Sequence, residues 1–182
     1  MPFQPPPDLA TMSLADIAAA LRDRRLPPIE SWSPAETMDS LMRVAADGTW
    51  YHDGAPIRRP AMVHAFASLL MRDADGQHWL VTPQCRQSVA VEDAAFVAVD
   101  MQVKGDALAF RLNTDELVVA GPHHPIIARG HADAPAIYLA VRHGCEARLD
   151  RSTWLQLADH ALAGDGGSVV SQGVRFALLP DE

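Results

Sequence analysis

The side chains that invite a chemical reading are few. His123 and His124 are adjacent, with His131 and His143 downstream. Neighbouring histidines on an extended chain point apart, and no Cys, Asp or Glu lies at a familiar metal-ligand spacing. The reading is a surface loop closed by Pro125, with no metal ion and no cofactor. Cys85 precedes Arg86, and a cation beside a thiol favours the nucleophilic thiolate. Covalent catalysis would also require a base, which the sequence does not place. Arg58-Arg59 stands just before a helix start. There it could meet an anion together with the free N–H groups of the first turn, or simply form a solvated pair. Nucleophile-elbow, phosphate-loop, dinucleotide and HExxH signatures are all missing. The expectation is a binding protein without catalysis.

These residues must be positioned by a succession of short elements. Ser13 and Asp16 form a capping pair ahead of a helix from Ile17 to Leu21, and Pro27-Pro28 ends it. The basic run Arg22–Arg25 complements the helix's carbonyl end. The proline-rich opening to about Asp8 reads as extended or mobile. Trp32–Pro34 is a connecting loop, and Trp50–Ile57 a hairpin turning on Asp53-Gly54. A helix is expected over 60–71, with Met62, Val63, Phe66, Ala67 and Leu70 at helical spacing, broken by Asp75-Gly76.

Strands follow. Trp79 and Val81 share a face, as do Val89 and Val91, and Val97, Val99, Met101 and Val103 alternate with Asp100 and Gln102. Leu108, Phe110 and Leu112, then Leu117–Ala120, then Ile137, Leu139 and Val141 continue the pattern. His143-Gly144 turns the chain into Cys145, Ala147 and Leu149. Asp150 or Ser152 caps a helix with the stripe Trp154, Leu155, Ala158 and Leu162. Val169-Val170 and Val174–Leu178 make a last hairpin. Gly54 and Gly144 are expected at positive φ.

The order strand, glycine turn, strand, capped helix, break, strand occurs from Trp50 to Val81 and again from Ile137 to Leu178. That suggests two related modules, with a cleft between them as the place for a ligand. The fold class expected is α+β: an N-terminal extension and helix over 1–26, a hairpin-helix module over 27–77, and a β-rich module over 78–182.

The chain has 182 residues, 48% of them hydrophobic, and a formal net charge of −8. That balance argues against general nucleic-acid binding, which rests on Lys and Arg neutralising phosphates. Cys85 and Cys145 lack the spacing of a disulfide scaffold or zinc site. With no stretch of about 18 apolar residues and no secretory-type start, a cytoplasmic protein with no membrane contact is expected.

The stretch from Pro27 to Leu179 resembles the bacterial domain-of-unknown-function family 1285. Asp47-Gly48-Thr49-Trp50, Gly54-Ala55-Pro56-Ile57 and Leu80-Val81-Thr82-Pro83 carry the likeness. So do Val91–Val97, His124-Pro125 and Val141–Ala147, all in the family's order. The resemblance implies two repeated modules, the second similar to pleckstrin-homology folds. It also implies a nucleotide-like ligand at their interface and a signalling role. The chain departs from the family pattern at Ser33-Pro34-Ala35-Glu36-Thr37 and at Gln84-Cys85-Arg86-Gln87.

Among motif-matching residues, Thr82, Asn113, His124 and Arg142 are the candidate ligand contacts. Arg142 precedes a glycine turn, and its guanidinium suits a phosphate or carboxylate; the alternative is a pair with Glu146. The leading expectation is therefore a non-catalytic protein binding a small anion. A protein–protein adaptor is second, and an enzyme using Cys85 or a histidine third.

Overall fold

The structure is a computed structural model, and it describes residues 5–180. The reading of Met1–Gln4 as extended lies outside the described residues. Three helices and fourteen strands are present among those described. They are α1 (Leu14–Asp23), β1 (Glu36–Val44), β2 (Trp50–His52), β3 (Ala55–Pro56), α2 (Pro60–Ser68), β4 (Leu70–Arg72), β5 (His78–Val81) and β6 (Cys85–Val91). Then come β7 (Phe96–Lys104), β8 (Ala107–Leu112), β9 (Leu117–Val119), β10 (Ile126–His131), β11 (Ala134–Arg142), β12 (Cys145–Leu149), α3 (Arg151–Leu162), β13 (Ser168–Ser171) and β14 (Val174–Ala177).

The strands form two six-stranded sheets and a small hairpin. The orders are β3-β2-β1-β6-β5-β4, β10-β11-β12-β7-β8-β9 and β13-β14. Each large sheet is two three-stranded meanders joined by their first and sixth strands. The repeat is thus real, but its frame differs from the sequence reading. It equates β1–β6 with β7–β12, rather than Trp50–Val81 with Ile137–Leu178. The turn at Asp53-Gly54 is therefore the counterpart of the β8–β9 turn, not of His143-Gly144. The division after residue 77 also moves, because β5 and β6 complete the first sheet. β6 pairs in parallel with β1, from Glu36↔Cys85 to Val44↔Val91. Both large sheets are open in their pairing order, with no closed barrel among the described residues.

The chain separates into two compact units, one made of Arg25–Val97 with Val141–Ala147 and the other of the remainder. In the first, Val44, Trp50, Ala67, Leu70, Leu80, Val89 and Phe96 are buried together with Val141, Cys145 and Ala147 from the tip of the β11–β12 hairpin. In the second, Leu9 and Ile17 pack with Ala107, Ala109, Leu117 and Val119, which seats α1 on β8 and β9. α1 is fixed by the expected capping box, in which Ser13 Oγ accepts from Asp16 N at 3.1 Å and Ser13 N donates to the Asp16 carboxylate at 2.9 Å. Of the basic run, Arg24 makes an ion pair with Glu116.

Local readings fail where a bulge or a short element breaks periodicity. The sequence reading assigns no element to Glu36–Val44 or to Ile126–His131, which form β1 and β10. The α2 stripe ends at Ser68, and Leu70–Arg72 pair as a strand with β5 instead of extending the helix. In β7 the register slips between Ala98 and Asp100. Phe96, Ala98 and Met101 are consequently buried, while Val103 is exposed. On α3 the buried face is Thr153, Leu157 and Ala161, whereas Leu155 and Leu162 face solvent.

Candidate functional site

None of the four expected contacts is displayed as an open recognition group. Thr82 closes its own turn, with its hydroxyl 3.0 Å from the Cys85 carbonyl and accepting from Cys85 N at 3.1 Å. Asn113 lies in the β8–β9 turn and is half-buried. His124 bridges to Gly121, and its Nδ1 is 3.1 Å from the Ala140 carbonyl. Arg142 reaches back to α2, where Nη2 donates to the Ala67 carbonyl at 2.9 Å, and its guanidinium lies 5.0 Å from the Phe96 ring centroid. A cation on the last carbonyls of a helix complements the negative end of the macrodipole. Asn113 and His124 belong to one unit, Thr82 and Arg142 to the other.

The remaining candidates resolve similarly. Arg86 turns away from Cys85, as strand alternation requires. Its guanidinium sits 4.4 Å from the Trp79 ring centroid, and its Nε donates to Thr37 Oγ1 at 3.1 Å. Cys85 has Thr82 and Gln87 as neighbours, each 3.5 Å from Sγ. The two stretches that depart from the family pattern lie side by side here, since Glu36, Thr37 and Met38 pair with Cys85, Arg86 and Gln87. No three His, Cys, Asp or Glu side chains among the described residues come together in a way that could hold a metal ion.

What the structure does bring together is a groove of about 520 Å³ in the first unit, lined by Met42, His52, Ala55, Pro56, Ile57, Arg58, Arg59, Met62 and Phe66. Its size is within the ordinary range for small-molecule sites. Its walls come from β1, the β2–β3 hairpin and the start of α2. The hairpin is set by a tight turn with Asp53 at φ 47° and Gly54 at φ 78°, the doubly left-handed geometry that an Asp-Gly pair favours. Pro60 opens α2 at a position where a missing N–H costs nothing. Behind the groove, the Phe66 ring stacks on the buried Trp50 ring at 6.2 Å.

Met42 is aimed by an irregularity in β1. The register with β6 shifts between Asp39 and Met42, and Leu41 takes φ 57°. A bulky residue rarely adopts that conformation, and it persists only where its surroundings over-determine it. Here they do. Leu41 N donates to Asp39 Oδ1 at 2.9 Å, Asp53 N donates to the Leu41 carbonyl at 2.9 Å, and Ser40 Oγ donates to the Ser88 carbonyl at 2.5 Å. Met42 then sits opposite His52, and both line the groove.

The electrostatics of this lining are opposite to those of the chain. The protein carries 23 acidic against 15 basic residues, yet the groove is lined by two arginines and a histidine and by no carboxylate. Arg58 and Arg59 are exposed and have no ion-pair partner among the described residues. The start of α2 has neither a side-chain cap nor an acidic residue in its first turn. Its positive dipole end is thus left uncompensated. The sequence flagged Arg58-Arg59 alone; the apolar wall beside them became visible only through the fold.

Fold and lining together describe a two-module α+β protein with an apolar, cation-rimmed groove in one unit. Two family models match the chain. The DUF1285 N-terminal domain matches residues 27–94 and the DUF1285 C-terminal domain matches residues 95–178. The chain belongs to the DUF1285 family, a family of unknown function. A crystal structure of a DUF1285 family protein from Silicibacter pomeroyi DSS-3 is similar at 34% identity and a TM-score of 0.76, over 90% of this chain and 94% of that one. One from Shewanella baltica OS155 is similar at 24% identity and a TM-score of 0.55, over 66% and 91%; this second likeness concerns the fold. Comparison with curated proteins returns no match. No helix among the described residues is long and apolar enough to cross a membrane.

Proposed function

We propose that this protein binds a small anionic molecule without transforming it, and that the groove beside Arg58 and Arg59 is the site. The supporting observation is the local reversal of charge: two guanidiniums with no ion-pair partner among the described residues and an uncapped helix start border an apolar wall in a chain of net charge −8. Desolvated apolar surface with a few converging polar groups is what small-molecule sites generally offer. The groove lies within the first unit, so the reading transfers the ligand there from the cleft expected between modules. A regulatory role, in which occupancy is the signal, belongs to the same proposal, as does a cytoplasmic setting for it. So does the finer likeness of the C-terminal module to pleckstrin-homology folds; what supports that is six strands followed by a capped helix.

A thermal-shift panel of anions, each paired with its uncharged amide or ester, tests the reading. A ligand at about 100 times its Kd adds roughly 2.7 kcal/mol, which for a chain of this size is a shift of about 5–10 °C. The charged member of a pair should shift the wild type and fail to shift Arg58→Gln/Arg59→Gln. Equal shifts in both proteins, or none with any anion, would refute it.

A second reading, a protein–protein adaptor, is favoured by one observation. Leu155 and Leu162 are 52% and 71% exposed on α3, seven residues apart on one face. Leu155→Asp should abolish any concentration-dependent association seen by light scattering; association that survives it would remove this reading.

A further inference from the structure

We infer, resting on the reading of the groove as an anion site, that its occupant is an aliphatic carboxylate: one anionic head on a flexible saturated chain, taken from solution. The walls set the first limit on the occupant. Met42, Ala55, Pro56, Ile57, Met62 and Phe66 present no side-chain donor, and no acceptor beyond the weak thioether sulfurs. A nucleobase or sugar is recognised through hydrogen bonds to its edges and hydroxyls, and burying those groups unpaired is costly. Side chains able to make such bonds are confined to His52, Arg58 and Arg59, two of them permanent cations.

The aromatic element points the same way. One face of the Phe66 ring is taken by Trp50, stacked at an interplanar angle of 22°. Among the described lining residues Phe66 is the sole Phe, Tyr or Trp, and the one other ring is the imidazole of His52, exposed on the β2–β3 hairpin. Two methionines flank the opening instead, with Met62 41% exposed. Methionine is unbranched and polarisable, and it moulds itself to chains that lack a fixed shape. An exposed apolar residue beside arginines with no ion-pair partner among the described residues is poorly placed in water, and a ligand covering both would resolve the two features at once.

The head group follows from the arginines. Arg59, at φ −91° and ψ 111°, caps α2 in an extended conformation. Successive extended residues project to different sides, so a head meets one guanidinium fork squarely, with the other as a neighbouring charge. One fork matches one carboxylate in a bidentate pair. Since both arginines are exposed, the head stays at the solvent edge and the chain runs over Met42, Ile57 and Met62.

Calorimetric titration with sodium butyrate, hexanoate, octanoate and decanoate, all kept below micelle-forming concentrations, tests the inference. Affinity should rise about two- to fourfold for each added methylene, the upper figure corresponding to full burial of each group at about 0.8 kcal/mol. Met62→Gln should flatten that dependence while the shortest acid binds as before. Arg59→Gln should weaken every chain length by a similar factor.

Affinity independent of chain length overturns the inference. So does AMP or inorganic phosphate binding at this site while decanoate does not, an outcome that leaves the anion-binding reading standing. Binding to phosphatidylglycerol vesicles without binding of free decanoate also overturns it. If neither the alkanoates nor AMP nor phosphate bind, both readings fall together.

Discussion

Gly54 and Gly144 occupy equivalent places in two tight turns, at φ 78° and 77°, yet alanine should be tolerated very differently. In either turn the added Cβ is strained at positive φ, a cost of about 1–2 kcal/mol. Loss of glycine's freedom in the unfolded chain returns about 0.4–1 kcal/mol. For Gly54 nothing else intervenes, because no heavy atom lies within 4 Å of the position a Cβ would take. The net expectation is about 1 kcal/mol. At Gly144 the same Cβ would stand 2.6 Å from the Arg72 carbonyl oxygen and 3.3 Å from the Arg72 Cβ. The obstacle is backbone, so the hairpin tip itself must move. That strains the hydrogen bond from Arg72 N to the His143 carbonyl, now 2.8 Å, and a buried bond of this kind contributes about 0.5–1.5 kcal/mol. Together the terms give about 2 kcal/mol for Gly144→Ala. Three of the four tryptophans (Trp32, Trp50 and Trp79) lie in the unit that holds both turns, so tryptophan fluorescence in urea reports on it. With a denaturant slope of about 2 kcal/mol/M, the midpoint should fall by about 0.5 M for Gly54→Ala and about 1 M for Gly144→Ala. Equal falls, or a larger one for Gly54→Ala, would show that the Arg72 contact does not constrain the turn.

Three further outcomes follow from particular side chains. Thr153 is fully buried and its hydroxyl has no hydrogen-bond partner among the described residues, so Thr153→Val should stabilise by about 0.5–1 kcal/mol; a lower urea midpoint would contradict this. His78 is 8% exposed. Burial, and next the charge of Arg72, hold its imidazole below the ordinary value of 6.5, against smaller opposing pulls from Asp73 and Glu146. The unfolded chain then binds the proton more readily, so the stability from neutral His78 is complete above about pH 6.5 and is lost as pH falls through the lower folded pKa. The urea midpoint should drop between pH 7.5 and 5.5 in the wild type and drop less in His78→Gln, and parallel profiles would count against it. Arg142→Ala should cost about 2–3 kcal/mol through loss of its bond to Ala67 and its contact with Phe96. It should nevertheless leave any anion-induced thermal shift intact; loss of the shift in a folded variant would return Arg142 to the binding site.

The turns were legible because their dipeptides carry the information. Asp53-Gly54 and His143-Gly144 both adopt the paired positive φ angles that such sequences suggest. The capping box of α1 and the Asp150 cap of α3 were legible for the same reason, each being a local hydrogen bond. What stayed hidden depends on partners distant in sequence. β1 lost its alternation to the bulge at Leu41, which is held in part by Ser88, 48 residues away from Ser40. On α3, Thr153 and Ala161 are buried while two leucines are not, because helix orientation follows the space available rather than the hydrophobicity of each residue. The groove was hidden for the same reason, since its lining is gathered from three elements and only the arginine pair stood out in the chain.

The family models divide the chain at residues 94 and 95, but the first unit takes in seven residues from beyond that point, Val141–Ala147. Among them Val141, Cys145 and Ala147 are buried, His143 accepts from the main chain of β4, and Arg142 caps α2. β4 is an edge strand of its sheet, and the borrowed hairpin tip shields that edge. A fragment ending at residue 94 would therefore expose an unpaired strand edge, the feature that templates intermolecular sheet growth. On a ribosome the first module would wait, with β4 uncovered, until about fifty more residues had been made. The same dependence makes the two halves inseparable as gene fragments: one can be recombined with a foreign partner only if the incoming half supplies a hairpin tip that fits.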